Sequence, residues 1–260
     1  MDAIIVTFNS SVSLRQQLGC PAITEAFRRI IVVDNASDDA SREVALEAGA
    51  ELVARKTNDG LATAINAGIR KTTSEFFAVL NPDVLLDDRS TVNRLLAQFE
   101  EPDVGLVAPA LILPSGEYQD SARTVPSPSQ LVRRKLTGET YGVVKPSGPA
   151  DVPWVVAAFI VVRRMASDAV GGFDEGYFLY FEDVDFCVRL WKHGWRVRLD
   201  TLSTAQHFFH AESRNSFAGV ASRHHLRSSI RFFRKHPQML RASGRNRVGL
   251  PAPVASPVVD

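Results

Sequence analysis

The sequence predicts an α/β fold with a mostly parallel, Rossmann-like central sheet flanked by helices. Short β-branched runs at Ala3–Phe8, Arg29–Val33, Glu51–Ala54 and Phe76–Leu80 alternate with stretches of helical period. These runs are apolar on both sides, as strands covered by helices on two faces must be. The chain has 260 residues, 45% hydrophobic and 23% charged, which is ordinary globular usage and enough for one or two domains without staples.

The elements follow in order. Ser37, Asp38 and Asp39 offer an N-cap for a helix over Ala40–Ala48, with Gly49 as its stop. Leu61, Ala64, Ile65 and Ile69 share one face of a helix over Leu61–Ile69. Residues 114–153 change character, with Pro114, Pro126, Pro128, Pro146, Pro149 and Pro153 among Ser, Gly and basic residues. Long loops of this kind in compact domains are usually lids or binding loops. Regular structure resumes in the apolar run Trp154–Arg163, and Gly171-Gly172 punctuates it. A helix over 182–193, a short strand over Trp195–Leu199 and a last helix over Phe217–Phe233 complete the pattern. Beyond Arg241, Pro251, Pro253 and Pro257 in an Ala/Val/Ser context predict a disordered tail.

Composition excludes several classes. Lys plus Arg minus Asp plus Glu is 30 − 29 = +1, so nothing in the global charge calls for a nucleic-acid partner. Cys20 and Cys187 are the two cysteines, so no disulfide framework is expected and a reducing compartment fits. Apolar runs such as Val155–Val162 fall far short of the ~20 residues of a membrane span. No signal peptide is expected ahead of the first apolar run. The expectation is a cytoplasmic globular protein.

In open α/β sheets ligands bind outside the carboxyl ends of the strands. Those ends deliver Thr7, Phe8, Asn9 and Ser10, then Asp34, Asn35 and Ser37, then Asn58, Asp59 and Gly60, then Asn81, Pro82 and Asp83. Asx residues also cap turns, but four such groups in series on one rim favour a polar binding site. Asp83 suits a hard divalent cation that takes its other ligands from phosphates and water, although Asn-Pro-Asp is also a common turn. In Tyr180-Phe181-Glu182-Asp183-Val184-Asp185 three carboxylates crowd a helix start among aromatics. Dipole complementation explains acids there, while partial burial would raise a carboxyl toward a useful general base. Glu182 and Asp183 point in different directions and so have different jobs. His207 and His210 follow another polar-ended strand, where imidazole suits Mn²⁺ or a mixed site. Arg223, Arg227 and Arg231 recur every four residues in a stretch, Ser213 to Val259, without Asp or Glu. Such a helix reads either as an anionic-surface binder or as a solvated face.

Taken together, the motifs resemble the family 2 glycosyltransferases of the GT-A fold, especially the rhamnosyltransferase-like branch. They are Ile4-Ile5-Val6-Thr7-Phe8-Asn9, Val32-Val33-Asp34-Asn35-Ala36-Ser37, Asn58-Asp59-Gly60-Leu61-Ala62 with Asn66-Ala67-Gly68, and Leu80-Asn81-Pro82-Asp83-Val84. They continue through Gly171-Gly172-Phe173-Asp174-Glu175, Tyr177 to Asp185 and Arg231-Phe232-Phe233-Arg234-Lys235-His236, so that the resemblance covers residues 2–237.

The resemblance implies an inverting glycosyltransferase with a nucleotide-diphosphate sugar donor, Mg²⁺ or Mn²⁺ as cofactor, and a saccharide or polyprenyl-linked acceptor. Thr7, Asn9, Asp34 and Asn58 would hold the nucleoside, with Phe8, Asn35, Gly60, Asn66, Asn81 and Asp83 completing the donor side. Asp83 with His207 or His210 would hold the metal, Asp183 would be the base with Glu182 beside it, and Trp154, Tyr180 and Asp185 would face the acceptor. Residues 1–113 would form the nucleotide-sugar half, 114–153 an acceptor loop or lid, 154–240 the acceptor-binding and catalytic half, and 241–260 the tail. Asn81 stands where the metal motif has its first acid, Ala157 stands in a usual Gly position, and no Gly is evident near Ala211-Glu212-Ser213. At the family level the resemblance implies that the donor would be dTDP-rhamnose and the product a cell-wall or surface polysaccharide. The enzyme would meet its acceptor on the inner face of the plasma membrane through Arg223, Arg227 and Arg231, and a homodimer is compatible with the sequence. The competing readings are a non-catalytic nucleotide or glycan binder on the same scaffold and a metal-dependent phosphohydrolase. A nicotinamide dehydrogenase is disfavoured because no Gly-x-Gly-x-x-Gly follows the first strand.

Overall fold

The computed structural model describes residues 1–138, 142–208, 212–240 and 250, with the backbone alone at 135 and 212–221. The first half alternates strands and helices: β1 (Asp2–Thr7), α1 (Ser11–Leu18), α2 (Pro21–Thr24), β2 (Arg29–Asp34), α3 (Ser41–Glu47), β3 (Glu51–Ala54), α4 (Leu61–Ile69), β4 (Phe76–Leu80), β5 (Val84–Leu85), α5 (Ser90–Ala97) and β6 (Val104–Ile112). The second half holds β7 (Ala122–Arg123), α6 (Pro128–Thr137), β8 (Ala150–Asp151), β9 (Trp154–Val155), β10 (Phe159–Arg163), α7 (Arg164–Val170), α8 (Glu182–Lys192), β11 (Arg196–His207) and α9 (Glu212–Lys235).

Among the described residues one large sheet runs in the order β3-β2-β1-β4-β10-β6-β11-β5, with β8 paired to β11. The β3-β2-β1-β4 half is parallel, as the strand–helix alternation predicts. Beyond it the sheet is mixed. β10 lies antiparallel between β4 and β6, β11 runs parallel to β6, and β5 closes the edge antiparallel to β11. Both halves of the chain therefore share one sheet.

Side chains alternate across β1 with the period of two that a strand imposes. Ile4, Ile31, Val33 and Val79 join α4 and α8 in one core layer. Ala3, Ile5, Val32 and Leu80 join α1, α3 and α5 in the other. At ~25 cal/mol per Å² of buried apolar surface, these two layers supply most of the drive to fold.

Three elements depart from the sequence pattern. The run Trp154–Arg163 is split, because Val156 N–H bonds Ser121 O (2.8 Å) and Ala158 O accepts from Asn81 N–H (2.8 Å). β9 therefore pairs with β7 in a small second sheet while β10 enters the main one. The strand expected over Trp195–Leu199 continues to His207, through a register shift between Asp200 and Thr204. The α3 helix starts at Ser41, and Asp39 caps nothing alone: it accepts Ser11 N–H (2.9 Å), Ser41 N–H (3.0 Å) and Ser41 Oγ–H (2.5 Å), joining the starts of α1 and α3.

Within residues 114–153, α6 opens on a capping box between Ser127 and Gln130. The excursion is closed on itself by Val144 N–H to Ala122 O (2.9 Å) and pinned to the body by Val152 N–H to Val197 O (2.9 Å). Among the described residues no helix is long and apolar enough to cross a membrane.

Candidate active site

The strand ends build one polar rim. Thr7 pairs with Asp34 in the parallel ladder, and Asn35 N–H donates to Thr7 O (2.8 Å). Asp34 is fully buried; Ser37 N–H approaches both of its carboxylate oxygens at 3.3 Å and Arg42 Nε donates at 2.6 Å. Asn35 Nδ2 donates to Asn58 Oδ1 (2.8 Å), which also takes Gly60 N–H (3.1 Å). Asn9 and Ala36 hold left-handed backbone (φ 51 and 65), and they are locked by Asn9 N–H to Ser37 Oγ (2.9 Å) and Asp38 N–H to Asn9 Oδ1 (2.8 Å). Strained, over-determined backbone of this kind gathers at binding sites. Phe8 is exposed above the rim. Asn35 Oδ1 is buried without a hydrogen-bond donor, an acceptor that a ligand N–H would satisfy.

The Asn81-Pro82-Asp83 turn is held from below by Gln17 Nε2, which donates to Asn81 O and Val84 O at 2.7 Å. From the side, Phe208 N–H donates to Asp83 O (2.8 Å). His207, buried at the end of β11, brings Nε2 to 3.2 Å from Asp83 Oδ1, while its Nδ1 lies 2.6 Å from Gln119 Oε1. Asp83 Oδ1 is buried and accepts no hydrogen bond. A carboxylate oxygen and an imidazole nitrogen that converge in this way fit a divalent cation, whose remaining ligands would come from phosphate and water. Among the described residues no third His, Cys, Asp or Glu joins them. His210 lies outside the described residues.

At the start of α8, Tyr180 and Phe181 are both left-handed (φ 68). Ser228 Oγ–H to Leu179 O (2.9 Å) and the packing of Phe181 against Phe232 and His225 hold them there. The turn delivers Glu182 buried and Asp183 half-buried. Burial raises both carboxyls above the usual range, Glu182 further because the Asp183 charge adds to it. The N–H groups of Val184 (2.8 Å to Oδ1) and Ala157 and the charge of Arg123 oppose the rise at Asp183. Glu182 Oε2 is buried without a donor. The stretch Ala157-Ala158 thus touches both ends of the site, Asp183 through the Ala157 N–H and Asn81 through the Ala158 carbonyl. Beside them opens a cleft of about 730 Å³ lined by Glu117, Tyr118, Gln119, Asp120, Arg123 and Lys145, among others.

Residues 2–150 match the family Glycosyl transferase family 2, and residues 84–241 match Glycosyl transferase family group 2. The chain belongs to glycosyl transferase family 2. It is 28% identical over 256 residues to N-acetylglucosaminyl-diphospho-decaprenol L-rhamnosyltransferase of Mycobacterium tuberculosis strain H37Rv, covering 86% of this chain and 81% of that one. It is 41% identical over 81 residues to Rhamnosyltransferase WbbL of Escherichia coli K12, covering 31% of this chain and 30% of that one. The solved structure of GalNAc-T7 with UDP, GalNAc and Mn²⁺ superposes with a TM-score of 0.61 at 13% identity, over 80% of this chain and 43% of that one. The fold of this glycosyltransferase is GT-A.

None of the site residues expected from the sequence of this glycosyltransferase is among those lining that cleft, and several turn away from the rim altogether. Asp185, expected on the acceptor side, turns inward and is fully buried. It contacts Arg189 Nε (2.6 Å), Lys235 Nζ (2.9 Å), His236 Nε2 (2.8 Å) and Tyr177 Oη (3.3 Å), and so ties α8 to α9. Burial alone would raise its carboxyl, but the His236 hydrogen bond and the Arg189 and Lys235 charges hold it well below the usual range. Trp154 is buried too, and its indole N–H is given to Thr124 O (3.0 Å). Asn66, expected with the donor residues, instead clamps Phe173 through both backbone groups (2.8 and 2.9 Å) and meets Glu175 (2.9 Å). Tyr180 does remain exposed. Gln17, Arg42, Gln119 and Arg123 were missed, because polar side chains amid helices and loops carry no periodic signal.

Proposed function

We propose that this glycosyltransferase transfers a rhamnosyl group, with inversion, from dTDP-rhamnose to a polyprenyl-diphosphate-linked saccharide in cell-wall or surface polysaccharide synthesis. One observation carries the reading: Asp83 with His207 and the raised carboxyl of Asp183 are bound to the same two-residue stretch, Ala157-Ala158, or to the turn it holds. Rhamnosyl transfer to a lipid-linked sugar is favoured by the Mycobacterium tuberculosis relative, whose name states that reaction.

The chemistry follows from the groups on the rim. Thr7, Asn9, Asp34, Asn35 and Asn58 orient the nucleoside. Asp83 and His207 would hold Mg²⁺ or Mn²⁺. When bound, the cation neutralises charge on the departing diphosphate. Asp183 takes the proton of the acceptor hydroxyl as its oxygen attacks the anomeric carbon. The bond to the diphosphate breaks on the opposite face and its electrons leave with the phosphate oxygen, which inverts the centre once. A carboxyl with a raised pKa is a stronger base than an ordinary one and remains ionised near neutrality. Residues 114–153 would serve as the acceptor loop, and α9 as the contact with the inner membrane surface.

The deciding assay offers a panel of nucleotide-sugars, with Mg²⁺ or Mn²⁺ and an N-acetylglucosaminyl-diphosphate lipid, and follows nucleoside-diphosphate release and the anomeric configuration of the product. Acceptor-stimulated release from dTDP-rhamnose alone is the expected result. Release from another sugar nucleotide would replace the donor assignment, and binding without release would favour a non-catalytic binder.

A further inference from the structure

We propose that Gln119 is a positioning residue: its side-chain oxygen takes the Nδ1 proton of His207 and thereby presents Nε2 to Asp83 as a lone pair. The inference rests on the reading of Asp83 and His207 as the metal end of the site.

Backbone hydrogen bonds hold the Gln119 main chain in place. Leu113 N–H bonds Glu117 O (2.8 Å), Gln119 N–H bonds Leu111 O (2.8 Å), and Ile112 bridges Tyr118, so that a tight reversal grows from the end of β6. β6 runs beside β11 with Ile112 opposite Gln206, one residue before His207. The reversal therefore carries the Gln119 amide over the imidazole, with Oε1 2.6 Å from Nδ1.

A neutral imidazole has one N–H and one lone pair, and an amide oxygen can only accept. A hydrogen bond at this nitrogen thus fixes the tautomer: Nδ1 carries the proton and Nε2 the lone pair. Nε2 then faces Asp83 Oδ1 at 3.2 Å, an oxygen that is buried and receives no hydrogen bond. Two acceptors at that separation repel one another in a poorly solvated site. A cation between them reverses the sign. If the tautomer were the other one, an Nε2–H would bond the carboxylate and close the site to metal. Gln119 lies in the proline-rich excursion, so the segment expected to meet the acceptor also sets the geometry of the metal end.

The test uses the whole chain with Gln119→Leu, which has no acceptor, and Gln119→Glu, which keeps one. The first readout needs no metal: ¹⁵N NMR of His207, at a pH where imidazole is neutral, reports which nitrogen carries the proton. Nδ1–H in the wild type and the Glu variant, and a shift toward Nε2–H in the Leu variant, is the expected result. The second is Mn²⁺ affinity in the presence of dTDP, followed by electron paramagnetic resonance. Loss of a partner behind a ligating His typically costs 10–100-fold in metal affinity, so the Leu variant should fall by that factor while Glu stays within a few fold of wild type. An Nε2–H tautomer in the wild type, or a Glu variant as weak as Leu, overturns the proposal. Absence of Mn²⁺ binding in the wild type would instead refute the metal reading, while the tautomer measurement still decides what Gln119 does.

Discussion

Gly60 and Phe178 meet backbone to backbone. Leu61 N–H donates to Phe178 O (2.8 Å), and a Cβ on residue 60 would lie 2.6 Å from both Cα and O of Phe178. Gly60 also has φ 99, a conformation that side chains rarely adopt. The loop that carries Asn58 is thereby fastened to the aromatic segment that delivers Glu182 and Asp183. Gly60→Ala should therefore cost about 1–3 kcal/mol through strain and displaced backbone, and lower turnover with it. A thermal melt and a transfer rate both equal to wild type would show that the contact yields freely.

Asp183→Asn should reduce transfer by ~10² or more while leaving donor affinity, read by calorimetry, nearly unchanged. Turnover above about a tenth of wild type would remove Asp183 from the role of base.

Stability should move the other way. The Asp183 carboxyl is raised in the folded chain, chiefly by burial. The native state then holds its proton more tightly than the unfolded state, so that stability is full at low pH and is lost as pH rises through the folded pKa. Asp183→Asn carries no such charge and should gain in melting temperature over wild type as pH rises past the ordinary carboxylate range. The wild-type transfer rate should climb over the same interval, because the base must be ionised. A gap between the two melting curves that does not change with pH would contradict the burial assignment.

Asp83→Ala should weaken dTDP binding when Mn²⁺ is present and have little effect when it is absent. Calorimetry with and without the metal separates the two cases, and equal affinities in mutant and wild type under both conditions would sink the metal role.

Asp185 behaves oppositely to Asp183. Its carboxyl is lowered, so its contribution is present above the unfolded value of ~3.9 and is lost as pH falls toward the folded one. Asp185→Ala leaves Arg189, Lys235 and His236 facing one another without the carboxylate. Removing one member of a buried ion cluster costs about 3–5 kcal/mol. The loss should be greatest near neutrality and shrink in acid, as guanidinium melts at two pH values would show.

The contrast between these neighbouring carboxylates marks what could be read from the sequence. The strand ends were legible because apolar runs stop abruptly at Asx residues, and a parallel sheet places all such ends on one rim. Asp183 and Asp185 share a helix turn and a residue type, so nothing local told the half-buried carboxyl from the core ion. What separates them is a 24-residue helix arriving from far along the chain with Lys235 and His236. β6, buried over Val104–Leu111, was overlooked although it is the longest strand after β11, because Gly105 and Pro109 interrupt its β-branched pattern. Gln119 was invisible for another reason: its meaning comes from the register between β6 and β11.

The same helix bears on where the enzyme works. Arg231, expected to face a membrane, is instead held by Asp174 (2.8 and 3.1 Å) and lies over the Tyr177 ring at 5.3 Å. The outward face carries Arg223, Arg227 and Arg234, with Leu226 59% and Ile230 45% exposed between them. Apolar side chains flanked by arginines suit a bilayer interface, where the apolar groups enter the headgroup boundary and the guanidinium groups reach lipid phosphates. Each basic residue near an anionic surface contributes roughly 1 kcal/mol, enough for reversible attachment. The attraction should fade with salt, since the Debye length shrinks from ~10 Å at 0.1 M to ~3 Å at 1 M. Co-sedimentation with phosphatidylglycerol vesicles should therefore be strong at low salt, weak at high salt, and lost in an Arg223→Gln, Arg227→Gln, Arg234→Gln variant. Replacing Leu226 and Ile230 by Ser should lower binding while leaving its salt dependence intact, because that change removes insertion and keeps the charge. Wild-type chain that stays in the supernatant at low salt would make this face an ordinary solvated one.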